Sequence, residues 1–310
     1  MNYTLHQLEI FKKIAEVKSV TKASEQLFLT QPAVSIQLKN FQEQFKHPLF
    51  EIVGRKLYIT EFGEEIASAA AKILEEIDAI NYKSSLFEGK LAGKLTLSIV
   101  STAKYAMPYF LTGFIEKNDR VEVKMDVTNK MSVIKALENN ECDFAMVSTI
   151  PNKLKIERIE LMKNKMVFVA GKNFKEPEKG VTLKNLIEST FIFREQGSAT
   201  RLAMEKYLLS NKIEVQRKME LTSTEAVKQA VIAGLGISII PLIGINEELS
   251  NGQLKVLKLK GLPIETKWNL VWLKSKNLSN VASAFKEHII KNKENIIENK
   301  FRKYHNSNKY

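Results

Sequence analysis

The chain has 310 residues, of which 44% are apolar and 26% charged, and its formal net charge is +12. This length can bury a core in two or three folded units, and the positive charge suits a polyanionic partner without proving one. No apolar run reaches the ~18 residues that cross a bilayer, the N-terminus lacks the pattern of a secretory signal, and the single cysteine excludes an internal disulfide. These features predict a cytoplasmic protein.

The first 43 residues predict three helices. Thr4 to Gln7 has the form of a capping box that opens the first helix. Ser19 is a suitable N-cap for the second helix and Thr30 for the third, where Pro32 costs no hydrogen bond because it lies in the first turn.

The third predicted helix has an apolar face and a polar face. Val34, Leu38 and Phe41 recur at helical spacing and should be buried. The polar face carries amide, hydroxyl and ammonium groups with no carboxylate before Glu43, so it can enter a groove lined with phosphates and read base edges. An ordinary packing motif with a solvated outer face would show the same pattern. The candidate DNA contacts are Thr30, Gln31, Pro32, Ser35, Gln37 and Lys39.

The next segment favours DNA binding over simple packing. Residues 48–60 form two short strand-like runs around Gly54, with Arg55 and Lys56 at the tip. A winged helix would place these two cations against the DNA backbone. Residues 1–60 are therefore predicted to form an all-α winged helix-turn-helix domain.

Several of these motifs resemble one known family in order and spacing. Residues 30–35 (TQPAVS), 48–50 (PLF), 54–55 (GR) and 60–63 (TEFG) are similar to the N-terminal domain of LysR-type transcriptional regulators, and the similarity extends to about residue 295. The resemblance implies that Gln31, Pro32 and Ser35 touch DNA, with Arg55 in the wing. Two positions that are often basic in the family are Ile36, directly after Ser35, and Ile52 in the wing.

Residues 61–89 predict a long linker helix with an apolar seam. The apolar positions alternate in steps of four and three, interrupted only at Ser84, which is the spacing of a heptad repeat. A stripe that lies on a globular body is the alternative to a partner helix. We expect dimerisation, and hence a dyad-like operator, through Ile66, Ala70, Ile73, Ile77, Ile80 and Phe87.

From residue 94 strands and helices alternate, which predicts a mainly parallel sheet covered by helices. The expected α/β module has two lobes, residues 90–162 plus 268–295 (lobe I) and 163–267 (lobe II), with a basic tail at 296–310. Two crossings between the lobes would give a hinged, cleft-bearing module like a periplasmic binding protein, as the family resemblance also implies.

Hydroxyl and amide side chains follow several of the predicted strands. Because ligands of open α/β sheets bind beyond the carboxyl ends of strands, these clusters predict a cradle for a small, anionic effector. Any one cluster could be only a helix cap. The candidate effector contacts are Ser101, Thr102, Thr128, Asn129, Thr149, Gln196, Ser198, Thr200, Arg201 and Thr222.

Residues 193–201 (FREQGSATR) and 101–105 (STAKY) most closely resemble the branch of the family that regulates carbon-fixation operons. An enzyme is disfavoured, since the sequence lacks zinc, phosphate-loop and nucleophile-elbow motifs, and no cofactor, metal or membrane partner is expected. A solute-binding protein without a transcriptional role is the alternative. The expected partners are double-stranded DNA, a small-molecule effector and a second copy of the chain; contact with RNA polymerase is left open.

Overall fold

The computed structural model describes residues 2–54, 56–87, 91–151, 153–176 and 181–306. The chain divides into two compact units, Met1–Lys90 and Leu91–Tyr310. Within the described ranges, no helix is both long enough and apolar enough to cross a membrane.

The first unit is three helices, a two-stranded wing and a long helix. Thr4 forms the expected capping box with Gln7, and Ser19 and Thr30 accept hydrogen bonds from the second and third helices as predicted. Phe11 and Phe41 are fully buried where these helices meet. The elements are α1 (Leu5–Val17), α2 (Val20–Gln26), α3 (Gln31–Gln42), β1 (Phe50–Val53), β2 (Lys56–Ile59) and α4 (Glu61–Phe87).

The apolar seam of α4 divides into two parts. Ile66 and Ala70 pack into the core formed by α1 to α3, so this part of the seam is covered within the chain. Further along, Ile77 is half-buried, whereas Ile73 is 40% exposed and Ile80 64% exposed. The first turns of the seam therefore lie on the globular body, which is the alternative to a partner helix. The side chain of Phe87 lies outside the described residues.

The second unit contains the expected alternation of strands and helices, but its main sheet is mixed. In the described residues, β3 pairs parallel with β4 and β5, and β7 pairs parallel with β8, whereas β6 pairs antiparallel with β9, β10 and β11, and β5 with β11. The elements are β3 (Ala92–Val100), α5 (Met107–Ile115), β4 (Arg120–Thr128), α6 (Lys130–Glu138), β5 (Phe144–Val147), β6 (Ile156–Gly171), β7 (Thr190–Arg194), α7 (Ala199–Ser210), β8 (Arg217–Leu221), α8 (Thr224–Ile232), β9 (Ser238–Pro241), α9 (Asn246–Ser250), β10 (Leu254–Val256), β11 (Ile264–Leu273) and α10 (Asn280–Asn306).

Two long antiparallel strands run through both lobes. β6 has 16 residues and β11 has 10, and they pair from Ile264↔Met166 to Leu273↔Ile156 with one irregularity between Trp268 and Asn269. The far end of β6 pairs with β9 and β10 of lobe II, and β11 pairs with β5 of lobe I. The boundaries at residues 163 and 267 therefore lie inside this continuous pair of strands.

The expected basic tail at 296–310 is wrong for its described part, because α10 continues to Asn306. Phe301 is buried and its ring lies 5.3 Å from that of Tyr109 and 6.2 Å from that of Phe110. Tyr304 is also buried, and its hydroxyl accepts a hydrogen bond from the backbone N–H of Lys165 in β6. Apolar contacts between α10 and lobe I thus order a segment that is rich in lysine and asparagine.

Candidate functional sites

The outward face of α3 forms the candidate DNA-reading surface. Gln31, Pro32 and Lys39 are exposed and Ser35 is half-exposed, as a base-reading surface requires. The amide of Gln31 donates to Ser35 Oγ at 2.9 Å, so these two polar groups are held together. Thr30 acts as the N-cap, with its side chain accepting from the N–H of Ala33 at 3.4 Å.

Gln37 does not belong to this outward face. Its Oε1 accepts a hydrogen bond from Gln7 Nε2 of α1 at 3.1 Å, and the residue is half-buried. At about 100° per residue it points away from Pro32 and Lys39 and toward the neighbouring helix. Its side chain links α1 and α3 in this structure, and its role in DNA contact stays a prediction.

The wing follows the expected hairpin, with Phe50 opposite Ile59 and Val53 opposite Lys56. Lys56 is exposed at the tip, while its expected partner Arg55 lies outside the described residues. Ile52 and Val53 are also exposed.

A buried arginine joins the two lobes. Arg194, at the end of β7, is only 4% exposed. Its Nη1 donates to Ser101 Oγ of lobe I at 3.1 Å and to Thr224 Oγ1 of lobe II. Ser101 also lies 3.4 Å from Thr224 through their hydroxyl oxygens. The structure therefore brings the predicted Ser101 together with two residues, Arg194 and Thr224, that we did not predict.

The charge of Arg194 is balanced by its neighbour in sequence. Glu195 Oε2 accepts a hydrogen bond from Arg194 Nε at 2.7 Å, and Glu195 Oε1 accepts one from Arg194 Nη2 at 2.9 Å. The two residues therefore form a bidentate ion pair. A buried guanidinium requires such a partner, because an unpaired charge away from water is strongly destabilising. The carboxylate of Glu195 thus pairs with Nε and Nη2 of Arg194, while Nη1 holds the two hydroxyls.

A second contact between the lobes involves predicted residues at the start of α6. Asn129 caps α6 through Ser132 N at 3.0 Å, and the N–H of Met131 donates to the carbonyl of Gly197 at 3.3 Å. Gly197 has φ +84 and fits against Met131, where a Cβ atom would lie 3.0 Å from the Met131 Cβ. The loop after β7 therefore meets the N-terminus of α6 across the lobes.

The other predicted effector residues differ in how far they are exposed to solvent. Thr102, Ser198 and Thr200 are buried, Thr128 and Thr149 are half-buried, and Gln196 and Thr222 are exposed.

Arg201, a predicted contact of the anionic effector, carries a guanidinium that is already paired with carboxylates. Its Nε donates to Glu205 at 2.7 Å and its Nη1 to Glu220, so both carboxylates hold the guanidinium. Its Nη1 also donates to the carbonyl of Arg194 at 3.0 Å, and its guanidinium lies 5.7 Å from the centre of the Phe193 ring.

Tyr105 of lobe I also reaches lobe II and was not predicted. A Cβ atom added to Gly244 would lie 2.6 Å from Tyr105 Cε2, so the ring packs directly on that glycine. The Tyr105 hydroxyl is buried and has no hydrogen-bond partner in the described part of the chain. Burial raises the pKa of Tyr105, against a smaller lowering effect of the Lys228 ammonium, so the group stays a neutral phenol.

An open groove of about 620 Å³ lies beside these contacts, between α6 and α7. It combines apolar side chains with ammonium and carboxylate groups, among them Met131, Ile134, Leu202, Lys130 and Glu138. Burial and the nearby Lys206 lower the pKa of Lys130. The predicted Gln196, Ser198 and Arg201 line this groove.

Comparison with known proteins assigns both units. Residues 5–64 match the model of the bacterial regulatory helix-turn-helix proteins of the lysR family, and residues 88–293 match that of the LysR substrate binding domain. The transcriptional activator CmpR of Synechocystis sp. is 36% identical over 95% of this chain and 97% of its own length. The RuBisCO operon transcriptional regulator of Allochromatium vinosum is 33% identical over 94% of this chain and 96% of its own.

A solved relative covers the second unit. The regulatory domain of CcmR from Synechocystis PCC6803, in complex with 2-PG, superposes with a TM-score of 0.60 at 32% identity, over 64% of this chain and 96% of that one. The family models span most of the chain, and the relatives are named as transcription regulators. The protein therefore belongs to the LysR family of bacterial helix-turn-helix transcriptional regulators.

Proposed function

We propose that this LysR-type regulator binds a small anionic metabolite between lobes I and II, and that binding changes its affinity for operator DNA. The observation that carries the proposal is the buried guanidinium of Arg194, which bridges Ser101 of lobe I and Thr224 of lobe II. The 2-PG in the structure of the CcmR regulatory domain supports a small effector for a relative of 32% identity.

The ion pair between Arg194 and Glu195 explains how an anion would enter. A carboxylate or phosphate that approaches Arg194 replaces Glu195 as its partner, and Glu195, which is 16% exposed, turns toward water. The guanidinium then keeps a counter-ion throughout, so no unpaired buried charge arises.

The same geometry explains the coupling to conformation. A ligand on Arg194 and Ser101 contacts both lobes at once, so its affinity depends on how far the lobes are closed. A ligand shifts a conformational equilibrium only by its difference in affinity for the two states. Contacts across the lobes supply that difference.

The test is calorimetric titration of the full-length protein with 2-PG and, separately, with inorganic phosphate. Ser101→Ala should weaken binding about tenfold, because a hydrogen bond to a charged group contributes roughly 1.5–3 kcal/mol. The joint replacement Arg194→Gln with Glu195→Gln removes the cation without leaving a lone buried carboxylate, and should abolish binding. Ser132→Ala, an exposed serine of α6, is the matched control.

Failure of both anions to bind, or equal affinity in the wild type and the joint variant, would reject an anion site at Arg194. Gel shifts of the DNA upstream of the protein's own gene, with and without the bound anion, test the link to operator binding. In the absence of the anion, the affinity of Ser101→Ala for DNA should equal that of the wild type, because Ser101 belongs to the second unit.

We also propose that the protein acts as a dimer through the exposed part of the α4 seam. Ile73 and Ile80 are exposed and seven residues apart, with Ile77 half-buried between them. Apolar residues at this spacing are the contact positions of a two-helix coiled coil. Two α3 helices in one dimer would then read an operator with two related half-sites.

A further inference from the structure

The centre of the outward face of α3 is apolar. Ile36 is 58% exposed, and Pro32 and Ala33 beside it are also exposed. At about 100° per residue, Ile36 lies within roughly 15° of the direction opposite the buried residues Val34, Leu38 and Phe41. It therefore projects from the helix more directly outward than Gln31 or Ser35.

Ile36 is also in the half of α3 that approaches bases. The N-terminal residues of a recognition helix contact base edges in the major groove, and Ile36 is the sixth residue of the 12-residue α3. The hydrogen-bonding pair of Gln31 and Ser35 lies at its side. The apolar side chain is thus placed where it would be desolvated when the helix enters the groove.

No guanidinium is available on α3 to read guanine. Its single basic residue is Lys39, whose ammonium lies 3.9 Å from the carboxylate of Glu43. The commonest specific contact in the major groove is a bidentate arginine on guanine, and apolar side chains contact the C5-methyl group of thymine there. A branched aliphatic group at the centre of the face is complementary to that methyl group.

We propose that Ile36 is a specificity-determining residue that contacts a thymine methyl group in the major groove, so that α3 requires thymine at one fixed position of its site. The proposal rests on DNA binding by α3, which membership of the family implies. It goes beyond that function because it names one base and the residue that selects it.

The experiment begins with selection of bound sequences from a random duplex pool by the full-length protein. Each thymine of the selected site is then replaced singly by uracil, which removes only the C5-methyl group. One replacement should weaken binding roughly fourfold, the equivalent of the ~0.8 kcal/mol that burial of one methylene contributes. This loss should vanish in Ile36→Ala, whose affinity for the thymine and uracil duplexes should be equal.

Two further variants sharpen the test. Ile52→Ala removes an equally exposed isoleucine from the wing and should keep the difference between thymine and uracil. Ile36→Arg should move the selected base at the same position from thymine toward guanine, since arginine binds guanine O6 and N7.

Three outcomes would overturn the inference. A selected site in which no uracil replacement matters excludes a methyl contact, and a loss that persists in Ile36→Ala assigns the methyl contact to another residue. A selection that yields no preferred sequence rejects base reading by α3 altogether, which also separates failure of the family function from failure of the role of Ile36. The circular dichroism spectrum of Ile36→Ala should match that of the wild type, which would show that the variant is folded.

Discussion

Phe28 in the helix-turn-helix occupies a backbone position that favours glycine. It follows the last turn of α2 with φ 56 and is 95% exposed. The N–H of Phe28 donates to Glu25 O at 3.3 Å and the N–H of Leu29 to Ser24 O at 2.9 Å, which is the hydrogen-bond pattern of a Schellman motif. A non-glycine residue in the left-handed region costs roughly 1–2 kcal/mol, and an exposed ring recovers little of this by packing.

Phe28→Gly should therefore stabilise the turn, by about 1 kcal/mol, because glycine adopts this conformation without the steric cost. Hydrogen exchange of the α2 and α3 amides in the full-length protein measures the effect, and exchange should slow roughly fivefold. Leu209→Gly, an exposed leucine inside α7, is the control and should instead destabilise its helix. Unchanged or faster exchange in Phe28→Gly would show that the ring has a stabilising role in the free protein.

At the residue scale, the N-caps of the helices could be predicted from the sequence, but the arginine that joins the two lobes could not. Thr4, Ser19 and Thr30 were predictable because a cap depends on neighbours within three residues. Arg194 and Arg201 lie on either side of one loop, and only Arg201 was predicted from the sequence. Which of them reaches Ser101 depends on tertiary contacts, since Glu205 and Glu220 pair with the guanidinium of Arg201.

At the scale of elements, continuous apolar runs were predictable and mixed segments were not. The second half of β6 is entirely buried and contains the apolar run 166–170, whereas its first half is partly exposed and carries charged residues. Likewise, the last turns of α10 bury Phe301 and Tyr304 in a segment with many lysines and asparagines. Such segments are ordered by what they pack against, so local patterns underestimate their length.

The exposed half of the α4 seam supports a prediction about assembly. Ile73→Glu should convert a dimer to a monomer, because the two copies of the carboxylate would be buried against each other. Sedimentation velocity over a range of concentrations measures the change. Lys72→Glu is the control, since Lys72 is exposed beside the seam and should leave the dimer intact. An unchanged sedimentation coefficient for Ile73→Glu would place the self-association elsewhere.

At the scale of the second unit, three contacts between lobes I and II, all outside β6 and β11, differ in their chemistry. These are the hydrogen bonds of Arg194 with Ser101, the bond from Met131 N to Gly197 O, and the packing of Tyr105 on Gly244. The first two are polar and can be exchanged for a ligand or water. The third is a steric fit that requires the absence of a side chain at residue 244.

Gly244→Ala should therefore move the lobes apart, since the new Cβ would lie 2.6 Å from Tyr105 Cε2. Spin labels at Glu138→Cys of α6 and Lys206→Cys of α7, both exposed, report the separation by pulsed electron spin resonance. The native Cys142 should stay unlabelled, because it is buried and burial raises the pKa of its thiol to about 12, which keeps it protonated at neutral pH.

The expected result is a longer and broader distance distribution in Gly244→Ala, together with weaker binding of any anion that needs both lobes. Gly113→Ala is the matched control, because a Cβ there meets only His288 at an ordinary 3.6 Å. Adding Tyr105→Ala to Gly244→Ala should shorten the distance again, since it removes the ring that the new methyl group meets. If Gly244→Ala alone keeps the wild-type distribution, the ring of Tyr105 can rotate aside and the contact does not set the separation of the lobes.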